Sequence, residues 1–276
     1  MESIEPARPR MRCHSTALMT ILDGIGKALL YCRRFGVWHG LRLMCTLHGL
    51  LNWRRADPFF KVSVPGLPAS VQLRRHSSDR DVFEQIFIGQ HYDFDLHLNP
   101  ALILDCGANV GISTLYFAAR YPAAAVLAIE PDAAAFEVLS ANASHYPNVT
   151  CLHAAVWGYH APLTFVNSEA PSWERRVDLA DSAGPLVKAI TIQDLLQSSA
   201  SGRIGLLKMD VQGAEKAIFD EQCHTWLART EVLMVELHDA EVPSCSLAVY
   251  KQLVRYEFQM RQNAHTVCID LRRPDV

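Results

Sequence analysis

Five polar side chains lie at the ends of four apolar segments of the sequence, at positions where a parallel sheet gathers its functional groups. These side chains are Asp105, Glu130, Asp210, Glu236 and His238. In open α/β sheets the ligand binds outside the carboxyl ends of the strands, so we expect these groups to face one pocket. Carboxylates and an imidazole in such a pocket can bind hydroxyl groups and move protons during catalysis.

The segment that follows the first strand, DCGANVG at 105–111, has two glycines four residues apart. Glycine permits a sharp turn and a close approach of the backbone to a ligand. The spacing differs from the GxGxxG of nicotinamide-binding folds, and the absence of GxxxxGK[ST] disfavours a nucleoside triphosphatase. Glu130, nineteen residues after Gly111, is placed to accept both hydroxyls of a ribose. Because the loop has no phosphate-binding lysine, a ribose ligand without pyrophosphate fits, and S-adenosylmethionine is the common cofactor of this kind.

Several segments of the sequence resemble the motifs of the FkbM-type methyltransferases. They are DCGANVGIST (105–114), AIEPD (128–132), Asn142, KMDVQGAE (208–215) and VELHD (235–239), and the similarity extends upstream to VQLRRHSSDRDVFEQIF. The DxGxNxG loop is shared by many S-adenosylmethionine enzymes, whereas its combination with KxDxxGxE is specific. The resemblance covers about residues 60–245. It implies an S-adenosylmethionine-dependent O-methyltransferase that acts on sugar hydroxyls of surface glycans or on secondary metabolites.

The resemblance also implies a set of cofactor-binding residues. The set comprises Asp105, Gly107, Asn109 and Gly111 in the loop, Glu130 for the ribose, Asn142, and Ala155 with its neighbour Ala154 for the adenine. Asp105, directly or through a water, would bind the amino-acid end of the cofactor. Plain core packing is an equal alternative for the two alanines, and a helix C-cap is an equal alternative for Asn142.

The catalytic candidates are Asp210, Glu236, His238 and Glu215. Methyl transfer to oxygen is an in-line displacement, and a sugar hydroxyl, as a very weak acid, needs a base close to it. His238 titrates nearest neutral pH and is the preferred base, with a structural hydrogen bond at the strand end as its alternative. Glu215 lies in the first turn of a helix, where it also favours the helix dipole.

Other chemistries receive less support from the sequence. Asp210 with Glu236, His238 or Asp239 could bind a divalent cation, but no dense ligand cluster requires one, so no metal is predicted. The Asn/Asp-Pro-Pro-aromatic run of base-methylating enzymes and a Pro-Cys nucleophile are both absent. Together with a net charge of −3, this predicts that nucleic acid is not a partner. A regulatory protein that binds S-adenosylmethionine without turnover is a further alternative, against which the acids at the strand ends argue.

Near-continuous apolar segments alternate with helical ones along most of the chain. The predicted strands are 101–107, 124–131, 148–156, 204–211 and 231–239, and helices of about ten residues include 111–120, 132–145 and 214–222. This pattern predicts a doubly wound, Rossmann-like α/β sheet of the class I methyltransferase type with an N-terminal helical extension.

Three further elements are predicted around this sheet. A β-hairpin over 59–73 leads into a helix at 80–90 capped by Ser77, Ser78 and Asp79, and an antiparallel hairpin at 257–273 closes the sheet. An insertion at 157–190 contains a strand at 162–166 and a polar stretch with Ser172, Trp173, Arg175 and Arg176. Loops over this edge commonly contact the substrate, so Trp173 could stack on a sugar ring, with a flexible connection as the alternative.

Charge divides the chain of 276 residues, which is 50% hydrophobic and 20% charged and therefore not a disordered protein. Residues 1–56 have nine basic and three acidic residues, a net of +6, whereas the rest has 17 basic and 26 acidic, a net of −9. We predict a basic amphipathic helical extension at 1–56 and a methyltransferase domain at 57–276. The extension has no uncharged segment of the ~18 residues that a membrane span needs.

Two interpretations of residues 16–56 remain open. One is a helical lid or dimerisation element, which would make the protein a homo-oligomer, and the other is a helix on the membrane surface. No signal peptide is predicted, and the eight cysteines form no CxxC pair. We therefore expect a cytoplasmic protein, in the second interpretation peripheral to the membrane, whose substrate is a hydroxyl-bearing sugar, glycan or metabolite.

Overall fold

A computed structural model describes residues 14–50, 57–167, 169–170, 174–180 and 185–272. The chain divides into two compact units, residues 1–53 and 54–276. The boundary predicted after residue 56, and the predicted substrate contacts of Ser172 and Trp173, lie outside the described residues. No helix in the described ranges is long and apolar enough to cross a bilayer.

The first unit is a pair of helices, α1 (His14–Phe35) and α2 (Val37–Leu47), as the helical periodicity predicts. Gly36 joins them with a φ of 76°, a left-handed conformation that suits glycine. The helices pack tightly where Gly40 meets Tyr31, since a Cβ at Gly40 would lie 2.5 Å from the Tyr31 carbonyl oxygen. Tyr31, Leu43 and Leu47 are buried.

The second unit contains the remaining strands and helices. The strands are β1 (Phe59–Val62), β2 (Val71–Arg74), β3 (Leu102–Cys106), β4 (Ala125–Glu130), β5 (Val149–His153), β6 (Ala155–Val156), β7 (Leu163–Phe165), β8 (Val177–Leu179), β9 (Ala189–Ile190), β10 (Leu206–Met209), β11 (Val232–Glu236), β12 (Gln259–Asn263) and β13 (Thr266–Asp270). The helices are α3 (Asp79–Phe83), which continues as a π-helix at Glu84–Ile88, α4 (Ile112–Arg120), α5 (Ala133–Ala143), α6 (Ile192–Gln197), α7 (Glu215–Ile218), a 3-10 turn at Glu221–Cys223, α8 (His224–Leu227) and α9 (Cys245–Leu253).

The central sheet has seven strands in the order β12-β13-β11-β10-β3-β4-β5. Counted along the chain within the sheet, this order is 6-7-5-4-1-2-3. All neighbours are parallel except β13, which is antiparallel to both β11 and β12. The predicted doubly wound α/β sheet and its closing hairpin are therefore confirmed. The strand order reverses between β3 and β10, which is where such sheets bind ligands.

The apolar pattern of the strands produces the core. Side chains such as Leu104, Ile129, Leu207 and Leu233 are fully buried, and they belong to four adjacent strands of the sheet. Burying each such side chain contributes roughly 1.5–3 kcal/mol relative to its exposure. The sheet thus forms a rigid base from which polar residues at the strand ends project.

Some predicted elements are shorter or interrupted. The strand predicted at 148–156 breaks after His153, because Ala155 and Val156 pair with β9 outside the central sheet. The helix predicted at 214–222 is a single turn, α7, followed by the 3-10 turn. Ser78 precedes α3 without a capping hydrogen bond from its side chain. The Ser77 hydroxyl instead accepts a hydrogen bond from the Asp79 amide at 3.2 Å.

Two predicted strand pairs are present outside the central sheet. The upstream hairpin consists of β1 and β2, which are antiparallel. The strand predicted at 162–166 is β7, which pairs with β8 in an antiparallel ribbon. This ribbon brings Arg175 and Arg176, which precede β8, toward the carboxyl edge of the sheet, where Arg175 lines the cavity described below.

Candidate active site

A cavity of about 290 Å³ lies at the carboxyl ends of the central strands. Its volume is near the lower end of the range of small-molecule pockets, roughly 300–1,000 Å³. Six of the predicted site residues line it, namely Gly107, Asn109, Glu130, Ala155, Asp210 and Glu236. The other five, Asp105, Gly111, Asn142, Glu215 and His238, are not among its lining residues.

The loop after β3 depends on two glycines. Gly107 has a φ of 76°, and a Cβ there would lie 1.8 Å from the Asp210 carbonyl oxygen. Gly111 has a φ of 90°, and its Cβ would lie 2.8 Å from Leu139 Cδ1 on α5. Between them Asn109 has a φ of 49°, a conformation that asparagine tolerates better than most residues. The spacing of the glycines thus reflects close packing of the loop against the end of β10 and against α5.

Glu130 connects this loop to the end of β4. Its Oε2 accepts a hydrogen bond from the Asn109 amide, and its Oε1 accepts one from the Asp132 amide, both at 2.8 Å. Burial raises the pKa of Glu130 to about 7, although both amides oppose the shift. Because a carboxylate oxygen can accept more than one hydrogen bond, Glu130 can still accept hydrogen bonds from the hydroxyls of a molecule in the cavity.

The structure corrects the expectation that Asp105 contacts the cofactor directly. Its side chain is fully buried beneath the loop. Oδ2 accepts hydrogen bonds from the hydroxyls of Ser113 at 2.8 Å and Thr114 at 2.6 Å, and Oδ1 lies 3.2 Å from Lys208 Nζ. Asp105 therefore fixes the start of α4 and holds a buried cation.

Lys208 is a site residue for which the sequence reasoning assigned no role. Its ammonium group, on β10, donates hydrogen bonds to the carbonyl oxygens of Gly107 at 2.7 Å and Cys106 at 3.3 Å. It also lies 3.9 Å from Asp210 Oδ2. Burial lowers the pKa of Lys208, but the charge of Asp105 outweighs this effect and the net shift is upward, so Lys208 stays charged. The sequence feature that could have identified Lys208 as a site residue is its position inside an otherwise apolar strand.

His238, the base that the sequence favours, lies between two carboxylates. Its Nδ1 lies 2.9 Å from Glu215 Oε1 and its Nε2 lies 3.4 Å from Asp210 Oδ1. Burial lowers the pKa of His238, but hydrogen bonds to Asp210 and Glu215 outweigh burial and raise it to about 10. The imidazole is therefore a cation at neutral pH, and a protonated imidazole cannot accept a proton.

Glu215, a predicted catalytic residue, lies outside the cavity lining. The residue is fully buried. Its Oε1 accepts a hydrogen bond from the Val211 amide at 3.2 Å in addition to its contact with His238. The carboxylate thereby holds the turn after β10, which contains Asp210.

Asp210 and Glu236 are the two carboxylates of the predicted catalytic set that line the cavity. Burial raises the pKa of Asp210, but Lys208 and His238 outweigh it and the net shift is downward. Burial, together with the negative charge of Asp210, raises the pKa of Glu236. Glu236 makes no side-chain hydrogen bond within the described ranges. Of the two groups, Glu236 is therefore the stronger base, and Asp210 is the carboxylate that stays ionised.

The structure also corrects the prediction for Asn142. This residue is buried within α5, and the C-cap of that helix is Ser144. The Asn142 amide donates to the carbonyl oxygens of Gln72 at 2.9 Å and Val110 at 2.8 Å, and its Oδ1 accepts from the Gln72 amide at 2.8 Å. Asn142 therefore connects β2 to the loop, is not among the residues that line the cavity, and is not the cap of α5.

Residues outside the predicted set complete the cavity wall. Ser78, Asp81, Gln85 and Tyr92 come from the segment before β3, and Arg175 comes from the insertion. Arg175 forms a salt bridge with Asp132 and donates a hydrogen bond to the Ala170 carbonyl at 3.1 Å. Only tertiary packing brings these residues to the edge of the sheet, so their spacing in the sequence contains no signal of the site.

No group of three or more potential ligands (His, Cys, Asp or Glu) is arranged to hold a metal ion among the residues that the structure describes. Asp239, a suggested ligand, accepts a hydrogen bond from the Ser246 amide at 3.1 Å instead.

The cavity fits the nucleoside cofactor that the sequence predicts. The glycine turn at Gly107 leaves no space for a side chain, Glu130 can accept ribose hydroxyls, and Ala155 with Val156 offers a small apolar surface. Asp210, the carboxylate that stays ionised, supplies negative charge, which suits a positively charged sulfonium. The donors of Lys208 are directed at carbonyl oxygens of the loop, so they do not form a phosphate site there.

Comparisons with known proteins identify relatives of this chain. The family model described as "Methyltransferase FkbM domain" matches residues 105–259. The chain is 30% identical over 190 residues to "Methyltransferase sdnD" of Sordaria araneosa, covering 55% of this chain and 73% of that protein. It is 28% identical over 199 residues to "AMB antimetabolite synthetase AmbE" of Pseudomonas aeruginosa, covering 57% of this chain and 9% of that protein.

A solved structure is also similar. The FkbM methyltransferase of Methylobacillus flagellatus matches with a TM-score of 0.46 and 15% identity, over 68% of this chain and 47% of that one. This chain thus spans just under half the length of that protein.

Proposed function

Because this chain belongs to the FkbM methyltransferase family, we propose that it transfers the methyl group of S-adenosylmethionine to a hydroxyl of a sugar, in a surface glycan or a lipid-linked saccharide. The observation that carries the proposal is the pair of carboxylates at the cavity, Asp210 and Glu236, whose pKa values shift in opposite directions. Two carboxyl groups whose environments push their pKa values apart are typical of an active site in which one group transfers the proton and the other stays charged.

The residues that would hold the cofactor are those of the loop and its neighbours. Gly107, Asn109, Glu130 and Ala155 all line the cavity. When bound, S-adenosylmethionine supplies an electrophilic methyl group. The Glu130 carboxylate would accept hydrogen bonds from the ribose hydroxyls, and in doing so it would orient the nucleoside.

Glu236 would act as the base for the acceptor hydroxyl. Its raised pKa makes it a better proton acceptor than an ordinary carboxylate, and it has no competing side-chain hydrogen bond in the described part of the chain. Asp210, held by the two cations Lys208 and His238, would accept a hydrogen bond from the acceptor without taking its proton. The rigid geometry of Asp210 aligns the attacking oxygen, and alignment supplies much of the rate enhancement in group transfer.

Polar residues of the cavity lining that lie outside the loop support a hydroxyl-rich acceptor. Ser78, Asp81 and Gln85 offer donors and acceptors for several hydroxyl groups, and Arg175 offers further donors. A sugar displays such groups on all sides, whereas an apolar acceptor would leave these polar side chains without partners at a cost in affinity.

A small secondary metabolite is the second candidate acceptor. The match to the antimetabolite synthetase of Pseudomonas aeruginosa favours it. In that case the chemistry at Glu236 is the same, and the polar wall would bind the polar groups of the smaller molecule. A regulatory protein without turnover is the least favoured, because it would not need a carboxylate with a raised pKa at the cavity.

The test combines a single substitution with isotopic labelling of cell fractions. Glu236→Gln preserves the size of the side chain and removes the base, so we expect methyl transfer to fall by about 10²–10⁴-fold. The binding of S-adenosylmethionine, measured by calorimetry, should change by less than about threefold. Glu241→Gln, an exposed residue outside the cavity, is the matched control and should retain full activity.

The acceptor is identified by the fraction that receives label from methyl-labelled S-adenosylmethionine. Label in polysaccharide or glycolipid supports the proposal, and label in the small-molecule extract supports the metabolite alternative. The third outcome is that the protein binds the cofactor but no fraction is labelled, although the extracts contain all acceptors. This outcome would leave only the regulatory interpretation.

A further inference from the structure

The first unit exposes large apolar side chains near the turn between its helices. We define the turn region as residues 29–41. In it Leu29, Leu30, Val37 and Trp38 are more than half exposed, and Trp38 is exposed to 86%. All four lie within seven residues of Gly36 and hence at the same end of the helix pair. Exposed apolar groups at one end of an element commonly mark a contact with a partner or a lipid surface.

The charges around this apolar surface have a single sign. Residues 24–50 contain Lys27, Arg33, Arg34 and Arg42 but no Asp or Glu. Arg33, Arg34 and Arg42 are exposed, and none of these three forms a salt bridge within the described residues. Arg33 and Arg34 end α1, immediately before the turn that leads to Val37 and Trp38.

This combination fits an anionic lipid surface. Apolar side chains that enter the interface, with basic residues beside them at the level of the headgroups, are typical of monotopic helices. Tryptophan favours the same interface, because its ring is amphipathic. A second copy of the chain is a poorer partner, since a symmetric contact would bring the uncompensated positive charges of both copies together.

We propose that the turn region docks on an anionic lipid surface, with Val37 and Trp38 inserted in the interface and Arg33 and Arg34 at the headgroups. This proposal stands on the first unit alone and does not depend on which hydroxyl the second unit methylates. It selects one of the two interpretations that the sequence left open for residues 16–56.

The experiment measures co-sedimentation of the full chain with lipid vesicles. We expect binding to vesicles of phosphatidylcholine with phosphatidylglycerol, little binding to phosphatidylcholine alone, and weaker binding as salt is added. The variant V37S/W38S should lower the partition coefficient by about tenfold or more, because it removes the apolar insertion. The variant R33Q/R34Q should lower it by roughly 25-fold, since each basic residue near the surface contributes about fivefold.

Matched controls alter similar side chains outside the turn region. Val254 is 77% exposed, so V254S tests whether the loss of an exposed apolar residue is sufficient by itself. R229Q/K251Q removes two exposed positive charges of the second unit. Both controls should bind vesicles as the wild type does. Circular dichroism and S-adenosylmethionine binding verify that every variant is folded.

Two results would overturn the proposal. The first is equal vesicle binding by the wild type and V37S/W38S, which would exclude the turn region as the contact. The second is a lack of vesicle binding combined with self-association in analytical ultracentrifugation that V37S/W38S abolishes, which would assign the surface to a second copy of the chain.

Discussion

Glu130 titrates near neutral pH because burial opposes its ionisation more strongly than its two backbone amides favour it. A molecule whose hydroxyls donate to this carboxylate binds its ionised form. With a pKa of about 7 in the free protein, the ionised fraction rises about tenfold between pH 6 and pH 8. We therefore predict that the affinity for S-adenosylmethionine rises by about tenfold over this interval, as measured by calorimetry.

The variant Glu130→Gln provides the comparison for this prediction. It should bind S-adenosylmethionine more weakly and with no change between the two pH values, whereas Glu137→Gln, an exposed substitution on α5, should behave as the wild type. A wild-type affinity that is constant over this range would show that the ionisation of Glu130 is not coupled to binding.

His238 should stabilise the folded protein, and the size of this stabilisation should depend on pH. Removing the cation by His238→Gln leaves Glu215 buried without its charge partner, which costs about 3–5 kcal/mol of unfolding free energy. The folded pKa of about 10 lies above the unfolded value of 6.5, so the stabilisation is complete below about pH 6.5 and is lost as the pH rises through 10. The difference between wild type and variant should therefore be large at pH 6 and small at pH 10.5.

Urea unfolding at both pH values measures this difference. His160→Gln is the control, because that side chain is 70% exposed and its salt bridge with Asp194 lies at the surface. We expect His160→Gln to lower the free energy of unfolding by less than about 1 kcal/mol at either pH. An equal cost of His238→Gln at pH 6 and pH 10.5 would contradict the ion pair described above.

At the residue scale the sequence predicted positions better than roles. His238 lies at the end of β11 as expected, but its role depends on Glu215, which is 23 residues away and reaches it only through packing. Lys208 is the lysine of the KxDxxGxE motif. Its contacts with Asp105 and Gly107, however, depend on the parallel pairing of β10 with β3. A sequence shows which residue types a strand end contains, whereas the sign of a pKa shift depends on neighbours in space.

At the element scale the predictions succeeded where a local pattern determines the structure. The apolar runs and turn residues predict the strands of the central sheet to within two residues at most ends. Two predicted ends, at 156 and 239, lie three residues beyond the ends of β5 and β11. The first difference arises because β6 is separated from β5 and pairs instead with β9, 34 residues further on. The π-helix at Glu84–Ile88 likewise has no signal in the apolar periodicity that predicts the helix itself.

The turn after β3 gives a prediction for an element. In Gly107→Ala the new Cβ would lie 1.8 Å from the Asp210 carbonyl oxygen, a backbone atom that cannot move without displacing the end of β10. We predict a loss of about 2–4 kcal/mol, which for a unit of this size lowers the melting temperature by roughly 5–15 °C. Binding of S-adenosylmethionine should be lost as well, because the turn borders the cavity.

Gly202→Ala separates strain from contact in this test. Gly202 has a φ of 65°, similar to that of Gly107, but nothing lies within 4 Å of its Cβ position. Gly202→Ala should therefore lower the free energy of unfolding only by the strain of a left-handed alanine, about 1–2 kcal/mol. It should leave the binding of S-adenosylmethionine intact. Calorimetric melting of both variants distinguishes the two costs, and equal shifts would mean that the close approach to Asp210 is not rigid.

At the scale of the whole molecule, the chain contains two compact units of opposite charge. Among the residues that the structure describes, those that line the cavity lie between Ser78 and Glu236, within the second unit. The buried apolar residues of the main core cluster lie between Leu102 and Ile269, again within the second unit. The apolar and basic surface proposed for lipid contact belongs to the first unit. Binding of the cofactor and binding of a membrane should therefore be separable by truncation.

We predict that a chain of residues 54–276 folds alone and binds S-adenosylmethionine with a Kd within about threefold of the full chain. A domain that has its own core and its complete cavity does not need the other unit for either property. The truncated chain should at the same time lose its affinity for anionic vesicles, because it lacks residues 33–38. Calorimetry and co-sedimentation on the same preparation test both parts. A truncated chain that melts cooperatively but binds the cofactor more than tenfold weaker would show that residues 1–53 contribute to the site.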